Sequence, residues 1–154
     1  MEEIRELKNR YLNFQPSDGV NNAVLSEIEN TLNIKLPKDF CEIASFYSGG
    51  YLGGISNYSF SNNDGSTSII EETIRLRTSI DLPHRYIVLA EPPESIIVMD
   101  TENTPSIIWC DAVEVTKLND KSFISKPNEW NSYTEYFAQL IEDEEDEEDE
   151  EDDI

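Results

Sequence analysis

The hydrophobic pattern of the chain changes near residue 51. Before that point apolar residues recur at three- and four-residue steps; after it come short runs rich in Ile and Val. Ile4, Leu7, Tyr11 and Phe14 share one face of a first predicted helix, which Pro16-Ser17-Asp18-Gly19 ends. Val24, Leu25, Ile28 and Leu32 define the inner face of a second. Asn21 or Asn22 suits its N-terminus, where a short amide side chain can accept from a free backbone N–H. Leu36 precedes a proline and is biased toward extended geometry. Pro37 suits the first turn of a third helix, Asp39 lies at that helix's positive end, and Phe40, Ile43, Ala44 and Tyr47 form its apolar stripe. Gly49-Gly50 is expected to stop it.

The second part reads differently. Tyr51 to Phe60 is expected to be an irregular strand, and Asn62 to Ser66 a turn. Ser68-Ile69-Ile70 is read as an extended start to a short helix over Glu71 to Ile80, with Ile70, Thr73, Ile74 and Arg77 on one side. Three strands follow: Tyr86 to Ala90, Ser95 to Asp100 and Ser106 to Val115, the last two joined as a hairpin. Residues 117 to 130 form a polar connection. Ser132 and Glu135 have capping-box spacing and open a last helix through Phe137, Leu140 and Ile141. Helices, a meander of strands and a closing helix predict an α+β domain over residues 1–141. Its antiparallel β-sheet has the N-terminal helices and a C-terminal helix packed on it.

Charge modifies this picture at one end. The 154 residues carry a net charge of −22, and positions 142 to 153 are twelve consecutive carboxylates. Without them the chain has 21 acidic and 11 basic residues, a net charge of −10. Like charges that bury no apolar area are expected to stay unfolded, so residues 142–154 are read as an acidic disordered tail. The tail lacks the glycine and spaced oxygens of a calcium-binding loop. An acidic body repels phosphate backbones and anionic lipid, which argues against direct nucleic-acid binding and against a membrane surface. No apolar run approaches the roughly 20 residues that span a bilayer, and no export signal is legible at the N-terminus. A cytoplasmic location is expected, with Cys41 and Cys110 as reduced, buried core thiols, although spacing leaves a disulfide between them open.

Candidate chemistry is sparse. The single histidine, His84, reads as a loop residue; as a general base it would need Ser79, Cys41 or a carboxylate beside it. Gly49-Gly50 and Gly53-Gly54 precede a strand and lack the helix and lysine of a phosphate cradle. No paired histidines or Cys-x-x-Cys suggest zinc. No catalytic residue, metal or cofactor is therefore expected.

Ile34-Lys35-Leu36-Pro37, then Asp39-Phe40 and Phe46-Tyr47-Ser48-Gly49-Gly50, resemble the signature of the SMI1/KNR4 family of the SUKH superfamily, with Ser48 in place of the usual asparagine. The similarity continues through Glu72-Thr73, Arg77, Leu82-Pro83, the strand Tyr86 to Leu89, Ile96 to Asp100, Ile107-Ile108-Trp109 and the helix Ser132 to Ile141. It covers roughly residues 20 to 141. The resemblance implies an antiparallel sheet with a groove flanked by helices. It also implies a non-enzymatic function. Bacterial members are mostly immunity proteins that neutralise a cognate polymorphic toxin, often a nuclease, while fungal members act as scaffolds in cell-wall signalling. The family supplies no catalytic or contact residues to carry over.

The charge balance suits the first of these readings. Nucleases hold phosphate in basic clefts, and opposite potentials accelerate encounter. The expected partner is thus a basic toxin domain, bound by stoichiometric occlusion. Candidate contacts are Glu91, Glu94, Asp100, Glu102 and Asp111 around the strand ends, with Tyr51 and Tyr58 as aromatic anchors. An interaction scaffold is the alternative, and pairing of sheet edges in a homodimer stays open.

Overall fold

The computed structural model describes residues 2–61 and 67–152. The turn expected at Asn62 to Ser66 and the final residues 153–154 lie outside them. Helix α1 (Glu2–Tyr11) buries Ile4, Leu7 and Tyr11, and α2 (Asn22–Leu32) buries Ile28 and Leu32, as their spacing predicts. The Asn21 side chain accepts from the Val24 N–H (3.1 Å) and opens α2. The loop after α2 is closed by Glu29, whose carboxylate accepts from the Leu36 N–H (2.9 Å).

Helix α3 (Lys38–Ala44) is shorter than its apolar stripe suggests. Gly49-Gly50 does not stop it; Ser45 ends it, and Phe46 and Tyr47 turn inward in a tight bend whose N–H groups bond to the Ile43 carbonyl. Gly49 instead serves a close approach. Its φ is 98°, and a Cβ there would lie 2.4 Å from the Tyr58 carbonyl oxygen. The expected irregular strand is a small hairpin, β1 (Gly50–Leu52) paired with β2 (Ile55–Asn57).

Helix α4 (Ile69–Ile80) begins two residues earlier than predicted, because the Ser68 hydroxyl oxygen accepts from the Glu71 N–H (3.1 Å). The expected extended start at Ser68-Ile69-Ile70 shrinks to an isolated bridge between Ser59 and Ser68. Ile70 and Thr73 face inward with Leu76, while Ile74 is exposed.

The main sheet is antiparallel, in the order β3 (Tyr86–Ala90), β4 (Ser95–Asp100), β5 (Ile107–Asp111), β6 (Asn128–Trp130). Ile87, Leu89, Ile97, Met99 and Ile107 point into a large core shared with α1, α2, α3 and the last helix. Tyr86, Val88, Ile96, Val98, Ile108 and Cys110 point the other way, onto Leu76, Leu82 and Leu118. Both faces are thus covered, which is why β3 reads as an unbroken apolar run rather than an alternating one. The third strand ends at Asp111, short of the predicted Val115. Ala112–Asn119 instead forms a 3₁₀ segment that lays Leu118 across the second face. Glu114, buried in that segment, accepts from the N–H groups of Ile124 and Ser125 and closes the loop behind it. Cys41 and Cys110 are free thiols that pack in different clusters, and Cys41 is only half-buried.

Helix α5 (Tyr133–Asp152) departs most from expectation. The Ser132 hydroxyl accepts from the Glu135 N–H (3.2 Å), while the Glu135 carboxylate reaches the Asn131 N–H (2.8 Å), so the capping box closes one residue earlier than the standard pattern. The helix does not end at Ile141. Its described backbone continues through Asp152, where the sequence predicts an acidic disordered tail over 142–154. Glutamate is a good helix former, and the first acidic turns find partners on the body. Gly53 donates to Glu144 and Arg10 to Glu145.

Asp39 ties the chain ends of the core together. One carboxylate oxygen accepts from both the N–H and the hydroxyl of Thr134 (2.9 and 2.8 Å), in the first turn of α5, 95 residues away. Replacing Asp39 with alanine should cost about 1–2 kcal/mol, for a lost cap and an orphaned helix start. That is a fall in Tm of about 2–8 °C for a chain of this size, read by calorimetry. An unchanged Tm would show that water replaces the carboxylate at no cost.

Candidate functional site

The seven acidic and aromatic candidates do not form one site. Strand β4 separates them, and its ends lie about 17 Å apart at the usual rise per residue. Four gather at one end of the sheet. Tyr58 donates its phenol hydrogen to Glu91 Oε1 (2.8 Å), and Glu91 also pairs with Arg75 of α4. Glu94 follows in the turn after β3, with φ at 61°, and its carbonyl accepts from the Ala112 N–H (2.9 Å) beside Asp111. Glu94 and Asp111 are exposed and, among the described residues, make no ion pair. Burial and the neighbouring Glu91 carboxylate push the Tyr58 phenol up, so it remains a donor at neutral pH.

Beside this end lies a polar cleft of ≈ 410 Å³ between Gly49-Gly50 and the segment that carries Tyr58, with Asp18, Ser56 and Asn57 in its wall. Tyr51 stands on β1 directly opposite Ser56 and is 64% exposed, the most exposed aromatic described. Asn57 is fixed from below. Its amide donates to the carbonyls of Gly50 and Ile55, and its oxygen accepts from the Tyr136 hydroxyl of α5 (2.8 Å). The cleft's polar wall escaped sequence reading, because serines, a glycine pair and an asparagine in a short hairpin look like ordinary turn residues. Arg75 was missed as well, although its three-residue spacing from Glu72, with which it also pairs, is a legible signal.

The opposite end holds Asp100 and Glu102. Asp100 is not an available surface carboxylate, and its expected role as a partner contact is corrected. Its side chain has no exposure and is held by Arg85 (3.2 Å) and Lys121 (3.3 Å). It also accepts from the N–H groups of Glu102 and Asn103 (2.9 and 3.0 Å), turning the chain from β4 toward β5. Burial pushes its pKa up, but those two N–H groups and the two cations pull it further down, so the net direction is down. Glu102 is exposed, and among the described residues its carboxylate is unpaired.

His84 is exposed beside a shallow depression whose wall includes Lys35, Thr101 and Glu102. Neither Ser79 nor Cys41 lines it. The Thr101 hydroxyl donates to the Arg85 carbonyl (2.6 Å), and among the described residues no hydrogen bond joins the imidazole to Glu102. No base–nucleophile pair is assembled there. The described residues also hold no group of three or more side chains arranged to take a metal ion. None of their helices is long and apolar enough to cross a membrane.

An antiparallel sheet wrapped by helices, with acidic and aromatic groups at its rim, defines a fold of mixed α and β type. A family model described as SMI1-KNR4 cell-wall, of the SUKH group, matches residues 1–142, and the chain belongs to that family. The match begins at the first residue and so takes in α1, which the motif resemblance left out. No curated protein matches the chain.

Asp100 supplies a direct test of this assignment of roles. Its pKa is lowered on folding, so its contribution to stability is present above the ordinary carboxylate value of about 4 and is lost as pH falls through the lower folded value. Asp100→Asn should cost on the order of 3 kcal/mol at pH 7, because Arg85 and Lys121 lose their counter-charge. Urea titrations should show the gap between variant and parent narrowing from pH 4 to pH 2. A gap independent of pH would mean that the charge of Asp100 contributes nothing.

Proposed function

We propose that the protein is an immunity protein that binds and neutralises a cognate polymorphic toxin, a nuclease with a basic cleft, by stoichiometric occlusion. Family membership supports an immunity or interaction role of a non-catalytic kind. The observation that carries the reading is the division among the carboxylates. Asp39, Asp100 and Glu114 are committed to backbone N–H groups, whereas Glu94, Glu102 and Asp111 stand exposed at the strand ends and make no ion pair among the described residues. Unpaired rim charges set encounter rate, and an exposed aromatic such as Tyr51 provides an anchor that a partner can bury.

The two kinds of residue should separate kinetically. With a basic toxin domain, the association rate should fall about tenfold between 20 and 150 mM salt. Glu94→Lys with Asp111→Lys should slow association further and flatten that salt dependence. Tyr51→Ala should act mainly on dissociation and weaken binding by about tenfold or more. Surface plasmon resonance gives both rates. An association rate indifferent to salt would remove the electrostatic part of the proposal.

Co-expression with the product of the adjacent gene tests the function itself, scored by rescued growth and recovery of a one-to-one complex. Recovery of several unrelated partners without rescue would favour an interaction scaffold.

A further inference from the structure

The segment after β5 carries more apolar side chains than the core takes up. Val115, Leu118 and Phe123 turn onto the second face of the sheet, among Leu76, Leu82 and Tyr86. Val113 and Ile124 belong to neither core cluster. Each is 87% exposed, more than any other large hydrophobic among the described residues. One buried carboxylate joins the two stretches that carry them. Glu114, next to Val113, turns inward and accepts from the N–H of Ile124 and from that of Ser125 (3.3 Å). The same corner carries free charge. The Ala112 N–H donates to the Glu94 carbonyl (2.9 Å), which fixes the start of the 3₁₀ segment beside Glu94, with Asp111 just before it. Glu94 and Asp111 are exposed and, among the described residues, make no ion pair. We infer that Val113 and Ile124 form the apolar centre of a docking surface, edged by Glu94 and Asp111, for an apolar side chain ringed by Lys or Arg on the toxin domain.

This surface rests on the toxin reading and deepens it, because it names the face that docks and anchors additional to Tyr51. Charge selects the occupant. A second copy would bring a chain of net charge −22 against itself, and a two-fold contact would set the same acids of both copies at one patch. A basic domain has the complementary sign. Lys126 shares a small cleft of ≈ 140 Å³ with Asp111 and offsets one of the two charges, so the patch keeps a negative excess. Interfaces of this kind bury an apolar centre and leave charged groups at a wet margin. The hold of Glu114 on Ile124 and Ser125 fixes the loop in advance, which lowers the ordering cost of association.

Val113→Ser with Ile124→Ser removes the apolar centre and leaves every charge in place. Both side chains stand in water, so Tm should not change. With the product of the adjacent gene held on a plasmon-resonance chip, the double variant should dissociate about tenfold faster. Its association rate and salt dependence should stay those of the parent chain. Methyl NMR on the full parent chain gives a second reading that needs no variant. The Val113 and Ile124 methyl resonances should shift when that product is added, and those of Val88, buried in the sheet, should not. An unaltered dissociation rate, or unmoved methyl resonances at Val113 and Ile124, would overturn the surface while rescue and a one-to-one complex kept the toxin reading standing. A parent chain that gives neither rescue nor complex would overturn both. Dimerisation of the free chain that the double substitution abolishes would also overturn the surface, by giving this face to a second copy.

Discussion

The central strands of the sheet are buried on both faces, and the rest of the structure answers that constraint. Strands β3 and β4 are almost wholly covered, so each backbone polar group near them needs a partner from the protein. Thr73 supplies one from inside α4, its buried hydroxyl oxygen accepting from the Val88 N–H (2.9 Å) near the point where the β3–β4 register shifts. The Tyr58 N–H donates to the Leu89 carbonyl (2.9 Å) and brings the hairpin segment alongside the same strand. The 3₁₀ segment takes the Tyr86 hydroxyl on the Leu118 carbonyl (2.8 Å). These contacts place the small hairpin, the first half of α4 and the loop behind β5 where they are. The rim that carries Glu91, Glu94 and Asp111 follows from them.

Carboxylates serve two distinct purposes in this molecule. Some act as acceptors for backbone N–H groups that helices and turns leave open: Glu29 at Leu36, Asp39 at Thr134, Asp100 at Glu102 and Asn103, Glu114 at Ile124 and Ser125. An ionised acceptor makes a stronger bond than a neutral one, and a low surrounding dielectric strengthens it again. Others lie on the surface and contribute potential, not structure. The net charge of −22 counts both classes of carboxylate against 11 basic residues. In the acidic stretch of α5, Glu144 accepts from the Gly53 N–H and Glu145 from Arg10.

Much of the architecture was legible from periodicity. Ile4, Leu7 and Tyr11, then Ile28 and Leu32, lie buried where three- and four-residue spacing places them, and β3 and β4 occupy the predicted spans. Local chemistry was legible where the partner was close in sequence, as with Asn21 and Ser132. It was not legible where the partner was distant. Asp39 looked like a dipole-favoured residue of α3 and is also the cap of α5. Asp100 looked like a rim charge and is buried between Arg85 and Lys121. Gly49 looked like a helix stop and is needed because strand and bend pass too closely for a Cβ. Of the candidate site, the sequence indicated residue types and the strand ends, but not that β4 holds Asp100 and Glu102 apart from the others.

What the sequence determined alone is the order and kind of most elements, though not the β1–β2 hairpin, the 3₁₀ segment or β6 within the expected polar connection, together with the surplus of negative charge and the family. These depend on hydrophobic period, composition and motif spacing, which are properties of the chain read in one dimension. Tertiary structure decided which carboxylates remain free and how far α5 runs. Both depend on whether an acid meets an N–H group or a cation from a remote segment. The acidic run makes the point: repulsion along the chain argues for an unfolded tail, whereas in the fold Glu144 and Glu145 meet Gly53 and Arg10, and α5 is described through Asp152.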